Sequence, residues 1–272
     1  MSTLKILVKD FDLEYTLSSG QCFNFKRERE YKYIGVLEKH FIQIEQRNNF
    51  LIIESTPKID EEKIIHFFNL NIDYENIISI LLKNKEIEPV VEKYKGLRIV
   101  NQEPYECFFS YIISSFNSIK KVQLSRDILS QKLGEKITDD FYTFPTKEKL
   151  KDADNQILKD AKLGYRSEYI KKSAQKLISD NLDLYQLKAK EYTDAKNTLL
   201  SFPGIGDKVS DCILLYSLGF HDAFPEDVWI KRYLKKRVKR KEEKIQIKKN
   251  FENFSGWAQL FIFKSIRDGY YL

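Results

Sequence analysis

Apolar and polar residues alternate in four short runs near the start of the chain, at residues 23–27, 31–37, 41–47 and 50–55. The runs are rich in aromatic and β-branched side chains, and polar clusters separate them, so each reads as a strand. Asn48 and Asn49 can turn a hairpin between the last two. The even spacing predicts an antiparallel meander. From residue 60 the apolar period changes to that of a helix, with Ile64, Ile65 and Phe68, then Ile77, Ile78, Leu81 and Leu82. Pro104 opens a further helix carrying Tyr105, Phe108, Phe109, Ile112 and Ile113, because proline suits a first helical turn. More helices are expected near 122–133, 147–153, 155–162, 166–180, 184–188 and 191–201. Another spans 207–218 and closes on Gly219, and 255–268 forms the last. The fold class expected is α+β. An antiparallel β subdomain with flanking helices would occupy 1–100, and an α-helical body 101–272.

Composition adds limits. The chain has 272 residues, is 42% hydrophobic and carries a net charge of +6, enough for a core but weak by itself as a sign of a polyanionic partner. The distribution says more, since eleven of the nineteen residues from Lys231 to Lys249 are Lys or Arg. Such a run attracts polyanions, or forms a solvated helix face. The three cysteines, Cys22, Cys107 and Cys212, are far apart and form no C-x-x-C pair. That argues against a disulfide scaffold, a zinc site or an iron–sulfur cluster, and fits a reducing compartment. The N-terminal decapeptide has no apolar core for a signal peptide, and no apolar run is long enough for a membrane span. A soluble cytoplasmic protein is expected.

The chemistry concentrates in residues 199–227. Pro203, Gly204, Ile205 and Gly206 form a tight turn between two helices, a helix–hairpin–helix over about 191–218. The second helix would offer unpaired N–H groups to an anion such as a DNA phosphate. Lys208 lies in its first turn, where the helix dipole disfavours a cation and so favours the neutral, nucleophilic amine. A phosphate-binding surface lysine is the alternative. Cys212, four residues on, shares that face and could pack on a flat ring, gain thiolate character near the lysine, or simply be buried. Asp227 follows Phe-Pro-Glu and precedes an apolar–basic run, which is the syntax of a helix cap. Facing Lys208, its carboxylate could also stabilise positive charge on a sugar. Gln259 and Phe263 are spaced by four, an amide beside a ring, which suits a flat heterocycle and equally suits core packing.

Taken together these stretches resemble the helix–hairpin–helix DNA glycosylase superfamily, and within it the 8-oxoguanine DNA glycosylase/lyase family. The segments that carry the resemblance are 17–23, 96–104, 106–115, 163–166, 200–212, the Phe-Pro-Glu-Asp ending at Asp227, and 256–259. They keep the family's order along nearly the whole chain. The resemblance implies a role for each residue. Lys208 is similar to the lysine that attacks C1′ and forms a Schiff base, and Asp227 to the aspartate that assists it. Gly20 resembles the glycine whose carbonyl accepts the N7 hydrogen of 8-oxoguanine, and Gln259 the glutamine that reads the Watson–Crick edge. Cys212 and Phe263 resemble the pair that sandwiches the extruded base. Tyr165 and Arg166 resemble the wedge and the arginine near the orphaned cytosine, and Gly204 and Gly206 belong to the DNA-gripping hairpin.

Three positions depart from the family pattern. Phe116 precedes Asn117 where an asparagine follows Ser-Ser, Lys121 replaces an arginine that reads the opposite cytosine, and Trp229 replaces a histidine. Lysine cannot reproduce bidentate reading by arginine, so weaker selection of the opposite base is expected. The implied activity is excision of 8-oxoguanine from duplex DNA followed by β-elimination, by a monomer and without a cofactor. The rivals are a monofunctional glycosylase for alkylated bases and a non-catalytic DNA-binding module.

Overall fold

A computed structural model describes residues 1–237 and 251–270. Five antiparallel strands form one sheet: β1 (Ser2–Leu7), β2 (Phe25–Arg29), β3 (Lys32–Leu37), β4 (His40–Arg47) and β5 (Phe50–Thr56). Their order is β1-β5-β4-β3-β2. The meander expected from the alternation is present as β2 to β5. Asn48, with φ of +52°, turns the β4–β5 hairpin, in which Arg47 faces Phe50. β1 is the strand that the pattern did not announce. It pairs from Ser2 opposite Ser55 to Leu7 opposite Phe50, a contact about fifty residues away in sequence. On this edge strand Thr3, Lys5 and Leu7 are exposed, and only Ile6 is buried. So few inward residues give a faint periodic signal.

Helices follow: α1 (Leu13–Ser18), inserted before the meander, then α2 (Glu61–Phe67), α3 (Tyr74–Leu82) and α4 (Glu88–Lys93). α1 and α4 were not expected, each being only six residues long. Asp12 caps α1 by accepting from the Tyr15 N–H at 2.6 Å. The body contains α5 (Pro104–Ser114), α6 (Ile119–Leu133), α7 (Lys147–Lys151), α8 (Asn155–Asp160), α9 (Arg166–Ser179), α10 (Tyr192–Leu200), α11 (Asp207–Ser217), α12 (Val228–Arg237) and α13 (Ser255–Arg267). α6 starts three residues before the expected 122, because Ser118 caps it by accepting from the Lys121 N–H at 3.4 Å. Residues 184–189 wind as a 3-10 helix. Gly219, with φ of +80°, follows the end of α11 as a helix stop requires.

The sheet, α1 and α2 enclose one apolar cluster, with Leu13, Ile42, Ile44, Leu51, Ile53 and Phe67 almost wholly buried. The helices enclose a second, centred on Phe108, Ile112, Ile213, Trp257 and Phe261. α12 carries the start of the basic run. Ile230, Tyr233 and Leu234 face inward, while Lys231, Arg232, Lys235 and Lys236 are exposed. The rest of that run lies outside the described residues. Among the described residues no helix is long and apolar enough to cross a membrane.

Candidate active site

The hairpin between α10 and α11 turns at Gly204, where φ is +81°. A Cβ there would lie 2.6 Å from Cδ2 of Tyr169, so both conformation and space demand glycine. Gly204→Ala is expected to cost about 2–4 kcal/mol, combining the left-handed penalty with overpacking. Chemical denaturation checks this, and a loss under about 1 kcal/mol would contradict it. Gly206 begins α11 with no side-chain cap, which leaves its first-turn N–H groups available to an anion. α10 is tied to α11 by Asp211, which accepts from the Tyr192 hydroxyl at 2.7 Å and pairs with Lys196 at 2.9 Å.

Lys208 projects from the first turn of α11 and is half-buried. Its Nζ lies 5.0 Å from the centroid of the Tyr111 ring. That ring, from α5, stacks on Tyr216 at 5.9 Å and 16°. Its hydroxyl donates to the Gln21 carbonyl at 2.8 Å. Tyr111 thereby joins the lysine to the strap after α1 that holds Gly20. Asp227 caps α12, with Oδ1 accepting from the Ile230 N–H at 2.8 Å. Burial raises its carboxyl pKa, while the amide bond and then the Lys208 charge pull the other way. Sequence spacing does not say whether the two residues meet; the Asp227 carboxyl is near enough to Lys208 to be influenced by its charge.

Cys212 lies one turn below Lys208 and is 3% exposed. Burial pushes its thiol up to about 11, against the lowering effect of Lys208. The thiolate character considered from sequence is therefore corrected: in this setting the Cys212 thiol stays neutral, because desolvation outweighs one neighbouring cation.

α13 carries Gln259 and Phe263. Gln259 is buried, and its Oε1 lies 3.5 Å from the Tyr216 hydroxyl that donates to it. Phe263 is half-buried, one turn on, with the Arg267 guanidinium 5.7 Å from its ring centroid. Gly20 has φ of +86°, and a Cβ on it would strike Nη1 of Arg267 at 2.3 Å and Cδ1 of Ile119 at 2.9 Å. The structure thus brings Lys208, Cys212 and Gln259 together around Tyr111 and Tyr216, and sets Gly20 beside Arg267, whose guanidinium also lies near the Phe263 ring. Open recesses elsewhere, such as one of about 330 Å³ lined by Glu103, Tyr105 and Lys147, contain none of these residues.

Residues 3–108 match the family model described as 8-oxoguanine DNA glycosylase, N-terminal domain, and residues 109–256 match the HhH-GPD superfamily of base excision DNA repair proteins. The chain belongs to the 8-oxoguanine DNA glycosylase family. It is similar to a protein of Methanothermobacter thermautotrophicus named "Probable N-glycosylase/DNA lyase", 29% identical and covering 85% of this chain and 84% of that one. The structure of MBOgg1 in complex with a low-affinity DNA ligand superposes with a TM-score of 0.92, at 30% identity, over 99% of this chain and 96% of the other. The Clostridium acetobutylicum 8-oxoguanine glycosylase/lyase, in complex with double-stranded DNA containing cytosine opposite 8-oxoguanine, superposes with a TM-score of 0.88, at 27% identity, over 98% of each chain.

Apart from Trp229 on α12, the remaining glycosylase-family positions lie on or near the loop between α5 and α6. Phe116 is 97% exposed and holds φ of +50°. Arg166 is turned inward rather than outward. It donates to the carbonyls of Ser115, Phe116 and Leu163, the Phe116 bond being 3.2 Å, and lies 4.5 Å from the Tyr165 ring centroid. Tyr165 is 53% exposed. Asn117 Nδ2 donates back to the Ile113 carbonyl at 3.3 Å, and Lys121 is exposed on α6. Trp229 is exposed beside Asp227, with the Arg232 guanidinium 5.1 Å from its ring. Three residues that contact the candidate site are not found by the sequence pattern: Tyr111, hidden in an apolar run, Tyr216, and Arg267. Only Arg267 leaves a signal, as the third member of the stripe Gln259, Phe263, Arg267, spaced by four.

Proposed function

We propose that this chain extrudes 8-oxoguanine from duplex DNA, excises it and then cleaves the abasic strand. The hairpin and the uncapped start of α11 bind the DNA backbone. The base enters between Cys212 and Phe263, with Gln259 at its Watson–Crick edge and the Gly20 carbonyl at N7–H. The Lys208 amine forms a bond to C1′ as the C1′–N9 bond breaks, and the departing base takes up a proton. Opening of the sugar gives an imine between Lys208 and C1′. Loss of a C2′ proton then expels the 3′ phosphate. Asp227 supports the positive charge that builds on the sugar.

The observation that supports this reading best is the position of Lys208, in the first turn of α11 against the Tyr111 ring, with the buried Cys212 one turn on and the Asp227 carboxyl near enough to be influenced by its charge. A lysine placed to attack is superfluous in a monofunctional glycosylase, where activated water suffices, and in a module that only binds DNA. Incubation with an 8-oxoguanine duplex and borohydride tests it. A covalent protein–DNA adduct and a nicked strand are expected, and an unmodified duplex would overturn the reading.

We also propose that the opposite strand is met by stacking more than by hydrogen bonding. Phe116 stands clear of the surface on a loop braced by Arg166, shaped to enter the stack that the base vacates. Lys121 offers no bidentate fork for cytosine. Excision rates from the four opposite-base pairings should fall within roughly threefold of each other, well inside the 1–3 kcal/mol of a bidentate base contact. A preference for cytosine above about tenfold, measured in single turnover, would contradict this.

A further inference from the structure

The strap that presents Gly20 is fixed from two sides. On the inner side stands Gln21, 1% exposed. Its amide donates to the carbonyls of Thr16 at 3.1 Å and Arg98 at 2.8 Å, and its Oε1 accepts from the Val100 N–H at 2.8 Å. The Gln21 carbonyl accepts from both Gln102 at 3.0 Å and Tyr111 at 2.8 Å. On the outer side stands Arg267. Its Nη1 donates to the Ser19 carbonyl at 2.7 Å and to the Ser18 carbonyl at 3.2 Å. The guanidinium also covers the Gly20 Cα, since a Cβ built there would lie 3.3 Å from Cζ. Lys264, one turn back, adds a bond to Ser18 Oγ at 3.0 Å. The carbonyls of Ser18, Ser19 and Gln21 are thus all engaged. Among the described residues no hydrogen bond ends on the carbonyl between them, that of Gly20.

We infer that Arg267 is the positioning residue for base selectivity: by holding the two preceding carbonyls it fixes the direction of the Gly20 carbonyl relative to Gln259 and Phe263. The inference rests on the 8-oxoguanine reading above. Arg267 does this from the same helical face as the other two, so one rigid element sets all three parts of the pocket. A hydrogen bond weakens steeply as its angle falls, so a strap free to pivot would accept N7–H poorly and would repel the bare N7 of guanine less. Gly20 has no Cβ and sits at positive φ, so its own backbone resists such pivoting little. A neutral side chain at 267 would leave the Gln21 anchor intact and release only the outer half of the strap.

The test compares wild type, Arg267→Ala and Arg267→Lys for binding to two duplexes. Each carries a 2′-fluoro nucleotide that resists excision, with 8-oxoguanine in one and guanine in the other. Wild type should prefer the 8-oxoguanine duplex. Arg267→Ala should compress that preference by roughly twofold to tenfold, the worth of one hydrogen bond. Arg267→Lys should recover much of it, since an ammonium can still donate to both carbonyls. Equal weakening on both duplexes in Arg267→Ala would overturn the inference and mark a plain backbone contact or a folding defect. An unchanged preference would overturn it too. A wild type that does not prefer 8-oxoguanine would instead remove the functional reading itself, and this inference with it.

Discussion

Lys208→Gln should yield no borohydride-trapped adduct, and its strand cleavage on an 8-oxoguanine duplex should fall by about 10³-fold or more. Glutamine approximates the length of lysine and keeps hydrogen-bonding capacity, but its amide nitrogen has no available lone pair. The exchange therefore removes the nucleophile with little change of shape. Folding should survive. Lys208 is only half-buried, and it places a cation at a helix start where the dipole opposes it. The melting temperature should stay level or rise slightly. Binding to the damaged duplex should persist, because the hairpin, Gln259 and Phe263 are untouched. Lys264 is another amine, on the helix that carries Gln259 and Phe263. It is 5% exposed and committed to Asp268 at 2.9 Å and to Ser18 Oγ at 3.0 Å. An adduct that survived in Lys208→Gln would show that another amine attacks, and would defeat the assignment.

Much of this site could be read without coordinates, for identifiable reasons. The hairpin announces itself because a turn at positive φ packed against Tyr169 must be glycine. The Asp227 cap is local syntax, and its bond to Ile230 spans three residues. The meander is visible because each of β3 and β5 alternates buried and less buried positions. What the chain conceals depends on distance. β1 joins the sheet through partners about fifty residues away. The strap of Gly20 is held by Arg98, Gln102, Tyr111 and Arg267, which no local pattern links to it. Arg166 shows the same limit. Its type suggests a hand extended to DNA, yet its guanidinium is spent on three carbonyls of its own chain. Cys212 shows a balance rather than a distance. Proximity to Lys208 is legible from the spacing of four, but only three-dimensional burial shows that desolvation prevails.

Asp227→Asn should separate the charge of this residue from its role as a cap. Asparagine caps helices about as well as aspartate, so α12 should keep its start and the bond to the Ile230 N–H. The charge is lost, and excision should slow by about 10²-fold, the usual scale for removing one electrostatic contact to a transition state. The pH dependence follows from the direction of the shift. Burial raises the Asp227 carboxyl above the ordinary aspartate range, with Lys208 and Arg267 opposing in part. The wild-type rate should therefore decline on the acid side at a higher pH than an ordinary aspartate would cause, and Asp227→Asn should lack that limb. Stability should move the other way. A folded pKa above the unfolded one means that the folded state loses stability as pH rises through the folded value. At neutral pH the variant should be as stable as wild type or more so, and the gap should close as pH falls. Asp227→Ala, which loses the cap as well, should forfeit about 1 kcal/mol relative to Asp227→Asn. Rate profiles and thermal melts from pH 4 to 8, roughly the span over which raised carboxyls titrate, check both halves. An Asp227→Asn rate equal to wild type would leave Asp227 a cap and nothing more.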